Sequence, residues 1–251
     1  MHRKESILPG TLLYYQELVS RRKQRIPLQH LTGEQEFYGY PFYVNEHVLI
    51  PRQDTEVLVE EALKRKREGM KVLDLCTGSG CILLSLLLEL PQALGTGVDV
   101  SEGALCVAKE NRKRLGLEQR AELIQSDLFS ADYFRKNSGN DHMEYDMLIS
   151  NPPYIRTEDI EGLMEEVRFH DPVLALDGKE NGLYFYEKIT EQAGTYLKPG
   201  GWLMYEIGCD QGMDVSEIMK KNGFEQIEIK KDLAGLDRVV TGRKMQEEQN
   251  V

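Results

Sequence analysis

No stretch of the 251-residue chain approaches the roughly 18 uncharged apolar residues that a membrane span requires, so no membrane association is expected. Nor does an apolar run follow the charged start Met1-His2-Arg3-Lys4-Glu5-Ser6, which argues against a secretory signal peptide. Cysteine is sparse. Cys76, Cys81, Cys106 and Cys209 form no C-x-x-C pair, and a chain of this size needs no disulfide staples. They read as free thiols of a reducing compartment rather than as metal or redox groups, and the expected location is cytoplasmic. Positive charge is also short, with 31 Lys and Arg against 42 Asp and Glu, a formal net charge of −11. Non-specific grip on nucleic acid relies on cations that neutralise phosphates, so direct nucleic-acid binding is not expected, a local basic face apart. Internal repeats and low-complexity tracts are missing too. What remains is ordinary globular composition, 41% apolar and 29% charged, enough for a core of normal size.

The first part of the chain differs from the rest. Residues 11–25 read as one helix, with Leu12, Leu13, Leu18 and Val19 apolar and a basic end at Arg21-Arg22-Lys23, too little apolar surface to stand alone. Residues 35–50 mix aromatic and β-branched side chains with turn formers, from Phe37 to Tyr43, and predict a β-hairpin. Asp54 is placed to cap a helix that runs to about Lys66. From residue 70 strands and helices alternate. Strands are expected at 71–75, 95–99, 121–125, 145–150, 202–207, 225–229 and 238–241, with helices after most of them. Such alternation predicts an α/β fold, a doubly wound, mostly parallel seven-stranded sheet. The expected organisation is a residual helical segment (1–34), a hairpin linker (35–53) and a catalytic domain (54–251).

Ligands of such sheets bind at the carboxyl ends of the strands, and that is where the informative residues fall. Asp74-Leu75-Cys76-Thr77-Gly78-Ser79-Gly80-Cys81 joins the first strand to its helix. Gly78 and Gly80 allow a sharp turn and close approach of a ligand. The third glycine of a dinucleotide fingerprint is missing, since Leu83 holds that place, and Asp74 suits an ammonium or hydroxyl better than a phosphate. Asp99 ends the second strand, where a carboxylate accepts ribose hydroxyls; NAD and S-adenosylmethionine share that ribose. Asp127 follows the third strand, with Leu128 beside it to pack on a base. Each acid taken singly reads as a turn or cap residue. Three at successive strand ends, together with the glycine turn, favour a zwitterionic nucleoside, S-adenosylmethionine, over a pyrophosphate.

Asn151-Pro152-Pro153-Tyr154 comes directly after the fourth strand. Two prolines after a strand are often no more than a stiffened loop, but the full string suits one chemistry. An amide or exocyclic amine nitrogen is a poor nucleophile because its lone pair is delocalised. The Asn151 side-chain oxygen and the Pro152 carbonyl can each accept one of its N–H groups, holding the plane while a methyl group arrives. Proline fixes φ and so aims that carbonyl. Tyr154 can stack on the flat face.

Together these strings resemble the amino-methylating class I methyltransferases, whose sheet is Rossmann-like. Leu49-Ile50-Pro51-Arg52-Gln53-Asp54-Thr55-Glu56, the earlier Pro27 to Phe37 and the later Asp171-Pro172 to Gly182-Leu183 are similar to the protein-glutamine methyltransferases that act on peptide chain release factors. The resemblance covers roughly residues 20 to 245. It implies methylation of the side-chain amide of the glutamine in a Gly-Gly-Gln tripeptide, with a release factor as protein substrate. It also implies that Cys76 to Gly80, Asp99, Leu128 and Asn151 contact the methyl donor, and that Asn151 to Tyr154 hold the glutamine. The sister group that methylates a ribosomal protein carries Ser-Pro where this chain has Gln53-Asp54. An adenine amino-methyltransferase of nucleic acid shares the Asn-Pro-Pro-Tyr chemistry and is the third reading. Against the family pattern, Cys76 replaces a glycine, at little expected cost given its size, and Leu128 replaces a frequent aromatic. Of the helical domain that precedes the hairpin in the family, only the equivalent of the last helix is recognisable. Glu206 at the end of the fifth strand reads equally as pocket lining or structural carboxylate. Arg52 is a substrate contact or the partner of a carboxylate, and His170 reads as structural.

Overall fold

A computed structural model describes residues 8–136 and 144–246; the charged start at Met1–Ser6 lies outside the described residues. The N-terminal segment holds α1 (Pro9–Lys23) and α2 (Leu28–Thr32). No residue of α1 is buried, in keeping with its weak apolar face, and an Arg22–Glu166 ion pair of 2.8 Å ties it to the body. A hairpin follows, β1 (Glu34–Phe37) and β2 (Tyr40–Tyr43), paired from Glu34 against Tyr43 to Phe37 against Tyr40. Its two-residue turn, Tyr38-Gly39, has φ of 51° and 76° at the two positions, the mirror-image geometry that matches strand twist. Phe37 and Phe42 are buried edge to face, with centroids 6.1 Å apart, and anchor the hairpin.

Asp54 does not cap the next helix. Gln53–Thr55 forms a 3-10 turn, the N-cap position of α3 (Glu56–Leu63) falls on Thr55, and no side chain caps it. The alternating part then runs β3 (Lys71–Leu75), α4 (Cys81–Glu89), β4 (Leu94–Asp99), α5 (Glu102–Arg114), β5 (Ala121–Gln125), α6 (Asp132–Lys136) and β6 (Tyr145–Ser150). Between β6 and the next long helix the chain makes a 3-10 turn at Thr157–Gly162 and two short helices, α7 (Glu165–Arg168) and α8 (Val173–Leu176). It ends with α9 (Tyr184–Tyr196), β7 (Leu197–Glu206), α10 (Gly212–Lys221), β8 (Phe224–Lys231) and β9 (Asp237–Lys244).

Seven strands form one sheet in the order β5-β4-β3-β6-β7-β9-β8, with β9 antiparallel to both neighbours and the rest parallel. This is the doubly wound, mostly parallel sheet the alternation implied. Side chains of a strand alternate between the two faces, and both faces here are covered. Val72, Met147, Ile149 and Met204 pack with α3, α4 and the hairpin. Leu73, Leu75, Leu148, Leu203 and Tyr205 pack with α9 and α10. Strand order reverses between β3 and β6, which opens a crevice at their carboxyl ends.

Candidate functional site

A cleft lies over those strand ends. Its floor is the turn after β3. Thr77 donates its backbone N–H to the Val98 carbonyl at 2.9 Å, and its hydroxyl to Asp74 Oδ2 at 2.6 Å. Cys76, Gly78 and Gly80 all have positive φ, of 58°, 55° and 80°, so the chain coils tightly and opens α4 towards the cleft. Gly80 lies behind the turn and is not a lining residue; a Cβ there would come within 3.0 Å of Leu84. Its smallness serves the packing of the helix.

Asp99, at the end of β4, accepts the Gly78 N–H through Oδ2 and the Ser101 N–H through Oδ1, both at 2.9 Å. Each oxygen keeps a lone pair for a further donor. Burial raises its pKa above the ordinary carboxylate value, and the backbone hydrogen bonds oppose the shift. Asp74 is fully buried and pushed up to about 7, chiefly by burial, with Asp99 adding to the rise. Its Oδ1 has no hydrogen-bond partner among the described residues. A cation bound above this turn would relieve both acids, whereas a pyrophosphate would add negative charge to them. The donor set therefore fits a cationic nucleoside.

Of the nine residues expected to hold a cofactor, Cys76, Thr77, Gly78, Ser79, Asp99, Asp127, Leu128 and Asn151 line the cleft, and Gly80 backs it. Val100 and Leu128, at the ends of adjacent strands, supply apolar surface on the same side; Val100 escaped the sequence reading because a lone apolar residue after Asp99 carries no signal. Of the following loop, Asn151 and Pro153 line the cleft and Pro152 does not; both prolines are buried. Tyr154 is half-buried and packs with the core beneath α9, and its backbone carbonyl accepts from Gln211 Nε2 at 3.0 Å.

The roof comes from the stretch that had looked irregular. Pro172, Leu174 and Ala175 line the cleft, as do Pro51, Arg52 and Thr55 from the segment after the hairpin. Arg52 pairs with the buried Asp171 at 2.8 Å, the second of its two expected roles. Burial pushes Asp171 up to about 6 against the pull of Arg52. The 177–182 segment is bolted to the loop: Ile155 N donates to Leu176 O at 3.0 Å, and Gly178 N to Ile155 O at 2.7 Å. A Cβ on Gly178 would sit 2.7 Å from Tyr154 Cα. Asn111, which the sequence reading missed, joins the hairpin to the cleft. Its side chain bonds Tyr43 through both backbone groups and donates to the Ser79 carbonyl at 2.9 Å. Among the described residues no group of three or more His, Cys, Asp or Glu could hold a metal ion, and no helix is long and apolar enough to cross a membrane.

A methyltransferase-domain family matches residues 66–248. A release factor glutamine methyltransferase of Geobacter sulfurreducens is 45% identical over 235 residues, 94% of this chain and 79% of that protein. One of Clostridium acetobutylicum is 40% identical over 241 residues, 95% of this chain and 82% of its own length. A methyltransferase structure from Pyrococcus furiosus aligns with a TM-score of 0.60 at 19% identity, over 90% of this chain and 99% of that one, and speaks to the fold alone.

Proposed function

Since the chain belongs to the release factor glutamine methyltransferases, we propose that it transfers a methyl group from S-adenosylmethionine to the side-chain amide nitrogen of the glutamine in the Gly-Gly-Gln motif of a peptide chain release factor. The observation that carries this reading is the placement of Asn151 on the same cleft as the Cys76–Ser79 turn, Asp99 and Asp127.

The donor brings a sulfonium methyl group, which is already a strong electrophile. The work left to this chain is binding, orientation and exclusion of water. Asp99 would accept the ribose hydroxyls, Asp127 the adenine amine, and Val100 with Leu128 would flank the ring. Asp74 beneath the turn supplies negative charge for the amino-acid end. Asn151 Oδ1 and the Pro152 carbonyl would accept the two amide N–H groups of the glutamine. That grip favours the developing charge on nitrogen in the transition state over the neutral ground state, which is how positioning becomes rate. As the N–CH₃ bond forms, the C–S bond breaks and one N–H proton leaves to solvent. Tyr154 packs with the core beneath α9 and does not line the cleft, so its part in this reading is to hold the loop that carries Asn151 and Pro152. The division into helical segment, hairpin linker and catalytic domain belongs to the same proposal.

Incubation of the enzyme and labelled donor with a release factor, with the ribosomal-protein substrate of the sister group and with duplex DNA tests this assignment. Label in the release factor alone supports it; label in DNA or in the ribosomal protein instead overturns it.

A further inference from the structure

Asn151 can do its proposed work only in one of its two amide orientations. Oδ1 and Nδ2 are nearly the same size, and a half-turn of the amide would aim N–H groups at the N–H groups of the substrate. Something must hold the amide the right way round, and the sheet supplies a candidate that the mechanism does not otherwise use.

Across β6 and β7, Ile149 is registered with Met204 and Ser150 with Tyr205. Glu206 is the next and last residue of β7, and Asn151 directly follows the end of β6. Ile149 and Met204 are buried in the same cluster beneath α3 and α4. Residues two further along a strand share a face, so the side chains of Asn151 and Glu206 emerge side by side on the α3 side of the sheet. Neighbouring strands run about 4.8 Å apart, within reach of a side-chain hydrogen bond. Glu206 is 3% exposed, its Oε2 lacks a hydrogen-bond partner among the described residues, and it is not a lining residue of the cleft.

Resting on the functional reading above, we infer that Glu206 is a positioning residue: its carboxylate accepts from Asn151 Nδ2 and so turns Oδ1 towards the substrate nitrogen. A carboxylate in its ionised form can only accept, so it discriminates between the two amide orientations where a neutral side chain would not. Hydrogen bonding from Thr55 and Asn151 and the charge of Arg238 favour that ionised form, against a burial that carries Glu206 up to about 7 and the nearby charge of Asp54. Arg238 itself is held by Asp232 at 3.0 Å, with Asp54 3.8 Å away. Thr55, on the 3-10 turn that precedes α3, is one of the groups that favour the ionised carboxylate, and it also lines the cleft.

A swap of partners tests this. At alkaline pH, where Glu206 is ionised, Asn151→Asp sets carboxylate against carboxylate with no donor between them, and is expected to lower kcat on a Gly-Gly-Gln peptide by roughly 100-fold, the scale of losing one preorganised hydrogen-bonding group. Adding Glu206→Gln returns a donor: the new amide gives its N–H to the new carboxylate, whose second oxygen still accepts from the substrate. The double variant should recover about tenfold or more over Asn151→Asp alone. Glu206→Gln alone, nearly isosteric, should lower kcat several-fold without raising the KM of the peptide. A double variant no better than the single one overturns the inference, as does full kcat in Glu206→Gln should the double variant fail to fold. Failure of the unmodified enzyme to methylate the peptide would instead count against the functional reading itself.

Discussion

Cys76 shows where residue-level reading reaches its limit. The spacing of Asp74, Gly78 and Gly80 places it in the turn, and size alone suggests that replacing a glycine there costs little. The cost lies in the backbone. At φ of 58° a side chain sits in the left-handed region, as does Leu128 at 50°, and neither carries the excuse of being Asn or Asp. No sequence pattern reports φ. The thiol itself is pushed well above its ordinary value by burial and by the charges of Asp99 and Asp74, so it is no nucleophile. A β-branched side chain would make the strain worse. Cys76→Val is expected to lower stability by about 2 kcal/mol and to weaken donor binding, measured by thermal melting and calorimetry. Asp99→Ala should raise the donor Kd at least tenfold while the fold persists, since the loss of two internal N–H acceptors comes with the loss of the ribose acceptor; unchanged affinity would remove Asp99 from the site.

Among elements, those of strong period were legible to within a residue or two. β5 and α9 span Ala121–Gln125 and Tyr184–Tyr196, as their patterns indicate, because apolar residues recur there at the period of the structure. The segment between β6 and α9 was not legible. Its 3-10 turn and two four-residue helices are too short to show a period, and its role comes from docking. Gly178 and Gly182 press against the Tyr154 backbone, with a Cβ on Gly182 placed 2.5 Å from the Tyr154 carbonyl oxygen. Here glycine is needed for close approach. Gly178→Ala must displace the Asn151–Tyr154 loop, so kcat should fall by an order of magnitude or more while donor binding, which rests mainly on the Cys76–Asp99 side, stays within about twofold. Equal loss of both would mean that the segment only supports the fold.

At the scale of the whole molecule, the alternation of strands was a fair guide to how the chain is wound. The antiparallel insertion of β9 between β7 and β8 was hidden, since pairing order is set by long-range packing rather than by local pattern. Buried acids govern the pH response. Asp74 and Glu206 stand at about 7 and Asp171 at about 6, all raised mainly by burial. A raised acid binds more protons folded than unfolded, so stability should fall as pH climbs from about 5 to about 7.5. His30, lowered from 6.5 mainly by burial, opposes this, but Asp99 is raised by burial as well and leaves it outnumbered. Melting curves across that range should show the decline, and saturating S-adenosylmethionine should flatten it, because a cation favours ionised Asp74. A melting temperature that rises over the same range would contradict this. The measurement closest to the centre of the account is tandem mass spectrometry of a release factor after incubation with donor and either the unmodified enzyme or Asn151→Ala. One methyl group on the side-chain nitrogen of the Gly-Gly-Gln glutamine with the former, and none with the latter while its donor affinity is retained, is the expected result; near-normal methylation by Asn151→Ala, or a methyl group on another atom, would contradict it.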